Sequence, residues 1–377
     1  MSIDRRGCLK IIGQGFASGL VAGGSTGLAL AAQSASRVEA SKLAMPGLYP
    51  GRVSAVRNPA AIVGGHYQAE AVREMMQKGM MDLTGADGWV DAWRHFFEPG
   101  DVVGIKLNPV GQPLVKSDVT VVRGIIAGLE AAGVRRQDIV AYDRYRKQFL
   151  QAGYDKWLPD GVRFSNAVED YDTIQQGIDG YDPDHYMDMA LTLPGYGLDN
   201  LTARRSYAAR FITSEVNKLV NVPVLKDHQS AGVTLALKNL SHGLVNNVCR
   251  SHSSSSLNAC NAFIPAVVGL PVIRNKTVMH ILDGVKGVYH GGPSARPEFV
   301  WEHSTLYFAT DPVALDHIGW EVIDAKRVSV GMKKLVDTPP DKFSTFVHRQ
   351  PEHVEIAGAL GLGVWDRDKI DLRPVKL

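Results

Sequence analysis

Cysteine is scarce in this 377-residue chain: Cys8, Cys249 and Cys260 are all there is, and no two form a CxxC pair. A cysteine-ligated iron–sulfur cluster therefore has no ligand set, and none is expected. Long apolar runs are missing too. Residues 11–32, the most continuous candidate, are broken by glycines, serines and Thr26, short of the roughly 20 strongly apolar residues that a permanent membrane span needs. There is no GxGxxG or GxxxxGK[ST] string, which argues against a standard nucleotide cofactor. Without GxSxG there is no nucleophile elbow, and without HExxH no short zinc-ligand pair. Excess charge is lacking as well. The net +2 is supplied by Arg5, Arg6 and Lys10 against Asp4, so the remainder is near neutral and a nucleic-acid partner is not expected.

What is present suits an enzyme-sized globular body: 45% of residues are hydrophobic and 21% charged, enough to bury a large core. Val/Ile-rich runs alternate with amphipathic stretches, the pattern of strands joined by crossover helices. The fold class is thus α/β, with a mainly parallel, doubly wound sheet. Val102–Asn108, Asp138–Asp143, Lys218–Lys226 and Thr277–Asp283 read as strands, each apolar run delivering a charged residue to its end. Residues 118–132, stopped by Gly133, read as a helix, and so does the stretch after Asp311-Pro312, where aspartate caps and proline starts the first turn. A strand over Thr305–Thr310 precedes it. Residues 170–210, rich in Tyr, Asp, Pro and Gly, break the pattern and predict a lid-like insertion. Residues 33–377 are expected to form one domain.

Asp4-Arg5-Arg6-Gly7-Cys8-Leu9-Lys10 pairs two arginines ahead of the weakly apolar stretch, and small residues follow at Ala29, Ala31 and Ala32. The segment 1–32 looks like a twin-arginine signal peptide. The expected location is the periplasm, the expected partner the twin-arginine export machinery, and the protein would cross folded. In that compartment Cys249 and Cys260 either pair or stay free thiols; their spacing leaves both open.

Ligands of doubly wound sheets sit outside the carboxyl ends of the strands, so the candidate site gathers the residues found there. Lys106, Asp143, Lys226, His228, Lys238 and Asp283 are the candidate catalytic residues, with Asn108 beside them, and Lys238 and Asn239 would bind a cofactor. Lysine and histidine at one strand end can hold an anion or move a proton. Histidines crowd the second half, at 242, 252, 280, 290, 303 and 317. Mixed histidine and carboxylate donors suit a divalent metal, with His228, His252 and Asp283 as the ligands expected. Tyr289-His290-Gly291-Gly292-Pro293 reads as a tight turn.

Gly100-Asp101 with Gly104–Asn108, Asp143, Asn221–His228, Leu237–Leu240, Asp283-Gly284, Gly291-Gly292-Pro293 and Asp311–Asp316, in this order, resemble the bacterial family catalogued as domain of unknown function 362. Some members carry an added ferredoxin-like segment with cysteine clusters; its absence here speaks against electron transfer. A shorter similarity, in the spacing of His228, Ala231, Gly232 and Lys238, is to the lactate racemase family, in which the lysine bears a nickel-pincer nucleotide and the histidine moves the substrate proton. Ala236 and Leu237 stand where that family has glycines. The residues predict acid–base or metal-assisted chemistry on a small anionic or polyhydroxylated compound, of the isomerase, lyase or hydrolase kind. Two readings compete: a non-catalytic periplasmic ligand-binding protein, and a cofactor-dependent racemase or epimerase like lactate racemase.

Changing Arg5→Lys together with Arg6→Lys is expected to hold the chain in the cytoplasm in its longer, uncleaved form. Cell fractionation and blotting check this, and normal processing of the double variant would refute the signal reading.

Overall fold

Val103–Lys106 and Ile139–Tyr142 are strands in the computed structural model, and every residue of both is buried. Unbroken apolar runs of this kind belong to parallel strands covered on both faces. The structure describes residues 41–377, one compact unit. The signal segment expected over 1–32 lies outside the described residues. Among those described, no helix is long and apolar enough to cross a membrane.

The main sheet runs, from one edge, Asp371–Lys376, Arg52–Arg57, Val300–Ala309, Thr277–Val288, Lys218–Asn221, Val103–Lys106, Ile139–Tyr142 and Arg163–Ser165. Most neighbours are parallel; Val300–Ala309 runs antiparallel to both of its partners. The expected doubly wound α/β sheet is observed. From Val103–Lys106 the chain steps outward through Ile139–Tyr142 to Arg163–Ser165. It then returns to lay Lys218–Asn221 on the opposite side, with Lys106 in register with Asn221. The strand order reverses between these two strands, and a crevice opens at such a point.

Side chains alternate across the strands. Leu219 enters the core beneath helices Leu235–Leu244 and Pro312–Ser329, whereas Val220 enters the one beneath Ala69–Thr84 and Val119–Ala131. The latter helix is capped by Asp118 and ends before Gly133, whose φ of 100° suits glycine. One expected strand is two. Lys218–Asn221 and Val224–His228 are separated at Val222-Pro223, because proline has no N–H to give the ladder. The second piece pairs farther along Thr277–Val288, with Val224 opposite Asp283. Between residues 170 and 210 the structure has a separate two-stranded ribbon, Tyr181–Asp188 with Arg205–Ala209. It is fastened to the loop after helix Leu235–Leu244, where the Tyr207 N–H donates to Asn246 Oδ1 at 2.7 Å and Arg250 donates to the Leu191 carbonyl at 2.6 Å.

Helix Leu235–Leu244 starts awkwardly: Leu235 has a φ of 45°, a region that disfavours branched side chains, and Thr234 gives no side-chain cap. The cap arrives from another helix. Buried Asp316 accepts the Ala236 and Leu237 N–H groups at 2.7 and 2.8 Å, one on each carboxylate oxygen. Asp316→Ala would leave two buried donors unpaired and is expected to cost about 2–4 kcal/mol, measured by denaturant unfolding; a loss below ~0.5 kcal/mol would show that the helix start holds without it.

Candidate functional site

A cavity of about 440 Å³ opens at the strand-order reversal. Lys106, Asn108 and Asp143 reach it from the ends of Val103–Lys106 and Ile139–Tyr142, Lys226 and His228 from Val224–His228, and Lys238 and Asn239 from the N-terminal half of helix Leu235–Leu244. Lys238 lies one turn into its helix, after the loop that follows the strand. Thr173, Gln175 and Leu193 of the insertion also line the cavity, so the insertion does lie over it.

The floor is a closed lattice of hydrogen bonds. Lys106 Nζ donates to Asp143 Oδ1 at 2.8 Å, the Leu107 carbonyl at 2.5 Å and Asn239 Oδ1 at 3.3 Å, which spends all three of its N–H bonds. Asn239 Oδ1 also accepts from Asn108 at 3.0 Å, and its Nδ2 donates to Asn221 Oδ1 at 2.7 Å. Lys106 thus positions Asp143 and Asn239 and has no donor left for a ligand. Its stem needs room: a Cβ at Gly243 would stand 2.0 Å from Lys106 Cε.

Lys226 and Lys238 differ from Lys106 in having no carboxylate partner among the described residues. Lys226 Nζ donates to Asn108 Oδ1 at 2.8 Å and to the Val110 carbonyl. Burial, with Lys238 and Lys106 nearby, pushes its pKa down to about 7. Lys238 has no hydrogen-bond or ion-pair partner for its amine among the described residues. Burial brings its pKa to about 8; the Cys260 thiol opposes the fall, and Arg144 and Lys106 add to it.

His228 is oriented by its own turn. Its Nδ1 lies 3.1 Å from the Ser230 N–H and 3.3 Å from the Ala231 N–H. Amides only donate, so Nδ1 carries the lone pair and the ring hydrogen sits on Nε2. Burial first, then the charges of Lys238, His252 and Lys226, holds its pKa well below the ordinary value. His228 is therefore a neutral Nε2–H donor. Its lone pair is spent on the two amides, which removes it both as the general base and as the metal ligand expected from sequence.

Asp283 is a further correction. It lies outside the cavity lining, on Thr277–Val288, and accepts from the Tyr67 hydroxyl at 2.9 Å and the Asp118 N–H at 3.0 Å. Burial and the nearby Asp118 raise its pKa to about 7. It ties a loop and a helix start to the sheet, and neither its catalytic role nor its metal role fits that position. Of the three expected metal ligands His228 and His252 line the cavity, and among the described residues only His252 belongs to a close donor cluster: His242, His252 and Cys260 have their ligand atoms within 4.8 Å of one another, a set compatible with a metal. Cys249 and Cys260 are free thiols. The turn at Gly291-Gly292-Pro293 binds the protein's own carboxylate, Gly292 N–H donating to Asp227 Oδ1 at 2.8 Å.

Sequence reading missed Arg144, which lines the cavity and donates from Nη1 to the His242 and Val245 carbonyls at 3.0 Å each. The signal was at hand, since Arg144 follows the strand-end Asp143 directly. His242, counted only among scattered histidines, is on the helix face four residues beyond Lys238 and lines the same cavity. With buried amines, few carboxylates and neutral donors, the cavity suits a small anion and can take up a proton near neutral pH.

The tautomer can be tested directly. Nitrogen-15 NMR is expected to show His228 as the Nε2–H form and still neutral at about pH 6.5, where an ordinary histidine is half protonated; titration near that ordinary value would contradict the arrangement.

No curated protein matches the sequence. A Thermotoga maritima protein, whose crystal structure was solved by the Northeast Structural Genomics Consortium, is similar at 11% identity and a TM-score of 0.35, over 72% of this chain and 61% of that one. A family model matches residues 103–321, which hold every cavity residue named above, and the chain belongs to that family, the domain of unknown function DUF362.

Proposed function

We propose that the protein is an enzyme that removes and returns a proton on a small anionic compound, such as a hydroxy acid or sugar acid. The observation that carries this is Lys226. In its neutral form the amine has two N–H bonds, and Asn108 Oδ1 and the Val110 carbonyl accept two, which leaves the lone pair for a substrate proton. A pKa of about 7 keeps much of the amine neutral at physiological pH. Lys238, protonated and otherwise unpartnered, holds the anion. His228 Nε2–H donates to the oxygen that gains charge as the proton leaves. Return of the proton by Lys226 gives exchange with retention. If Lys238 instead gives its own proton to the opposite face, the carbon inverts, Lys226 is left protonated and Lys238 neutral, and solvent exchange resets both. Inversion is the outcome expected from the spacing shared with lactate racemases. A cofactor borne on Lys238 rests on that similarity alone. With the paired arginines ahead of a small-residue stretch, we further propose that the enzyme works in the periplasm.

Activity should follow a bell. Rate is gained as pH rises through about 7, where Lys226 loses its proton, and is lost above about 8, where Lys238 does. Lys106, Asp143 and Asp227 also act on Lys226, so the limbs are macroscopic values of a coupled set. Incubation with hydroxy acids and sugar acids in D2O, read by proton NMR and chiral chromatography, is expected to show deuterium at the carbon next to the carboxylate. Lys226→Met should cut exchange by about 10²–10⁴-fold while anion binding survives, and Lys238→Met should weaken binding. Binding without exchange in the wild-type chain would make it a ligand-binding protein instead.

A further inference from the structure

His242, His252 and Cys260 come from three separate elements: helix Leu235–Leu244, the residue after the short 3-10 turn Cys249–Ser251, and the first residue of helix Cys260–Val268. They converge on one point. The Ser251 hydroxyl lies 3.1 Å from His242 Nε2, 2.8 Å from His252 Nδ1 and 3.8 Å from Cys260 Sγ. Its own hydrogen goes to the Val248 carbonyl at 2.7 Å, so the oxygen presents only lone pairs to the other three. That oxygen can be met by ring N–H and thiol hydrogens or, where the three donors are deprotonated, by a cation held between them. The far nitrogen of His242 is set by the Ser241 hydroxyl, 2.9 Å from Nδ1, the kind of outer partner that orients a metal-bound imidazole.

We infer that His242 Nε2, His252 Nδ1 and Cys260 Sγ form a binding site for one borderline or soft transition-metal ion, of the zinc, cobalt or nickel kind, on the wall of the cavity. A thiolate with two imidazoles selects such ions over magnesium and calcium, which take oxygen ligands. Bonds of about 2.0–2.3 Å put neighbouring donors about 3.5 Å apart, so side chains now within 4.8 Å close by about 1 Å. The protons balance. The divalent ion replaces the Cys260 thiol proton, which leaves to solvent, and each histidine keeps one ring hydrogen, His242 on Nδ1 toward Ser241 and His252 on Nε2. His242 and His252 both line the cavity, which leaves the fourth position open to it. Three protein ligands and one open position make a catalytic rather than a closed structural arrangement. The site stands independently of the proton-transfer reading, since no part of it uses Lys226.

Chelator-stripped full-length protein titrated with CoCl2, then with ZnCl2, tests this without any substrate. One cobalt per chain is expected, with the thiolate-to-cobalt charge-transfer absorption and the strong visible bands of a four-coordinate ion, and zinc should displace it. Cys260→Ser should abolish the charge-transfer band, and His242→Gln or His252→Gln should weaken binding at least ~10-fold, each apo variant first being checked for an unchanged circular dichroism melt. Should Cys260→Ser fail to fold, the two histidine variants carry the test. Absence of saturable cobalt or zinc binding at micromolar concentration would overturn the site, as would cobalt bound with no thiolate band and unaffected by the variants. Ser251 would then be the junction of a metal-free hydrogen-bond network.

Discussion

The side-chain amide of Asn239 holds the site together. Its oxygen takes hydrogen bonds from Lys106 and Asn108 at the end of one central strand, and its nitrogen reaches Asn221 at the end of the next. The two strands between which the sheet reverses its order are thus clamped to the N-terminal half of one helix. Asn221 completes the clamp by donating to the Ala236 carbonyl of that helix at 3.1 Å. A single planar group, with acceptor and donor on opposite sides, can do this; a carboxylate has no donor for Asn221 and an ammonium no acceptor for Lys106. Placement of Lys238 and His242 follows, because both ride on the helix that the amide pins.

Around that clamp the electrostatics are lopsided. Lys106 has Asp143, but among the described residues Lys226, Lys238 and Arg144 have no carboxylate of their own, and Asp227 turns away to the Gly292 turn and has its pKa raised by burial to about 6. Like charges in a buried space resist protonation, so the cavity stores an unmet demand for negative charge. A bound anion would answer it, whereas burial raises the pKa of the neighbouring Cys260 thiol and keeps it from supplying that charge. The proposed proton transfer draws on this imbalance.

Most of the strand ends were legible, because an apolar run followed by a charge marks where a buried strand surfaces. Lys106, Asp143, Lys226 and His228 were found that way, and Lys238 and Asn239 through the helix that follows. The same rule misled at Asp283. Its run and charge look alike in sequence, yet the strand continues to Val288 and the carboxylate meets Tyr67 and Asp118 from distant parts of the chain. The tautomer of His228 could not be read either, as it depends on two amides folding back within three residues. His242, His252 and Cys260 belong to no short motif, and only tertiary folding turns their donor atoms toward one hydroxyl. The twin-arginine reading stands on sequence alone.

Gly243 shows how little separates this arrangement from another. The space where its side chain would be is filled by the stem of Lys106, so the reach of that amine toward Asp143 and Asn239 is set by a missing methyl group on a different element. Chemistry in this cavity is therefore gauged by backbone thickness: the helix lies as close to the sheet as hydrogen atoms allow, and one carbon more would lever it outward and uncouple the strand ends it reads.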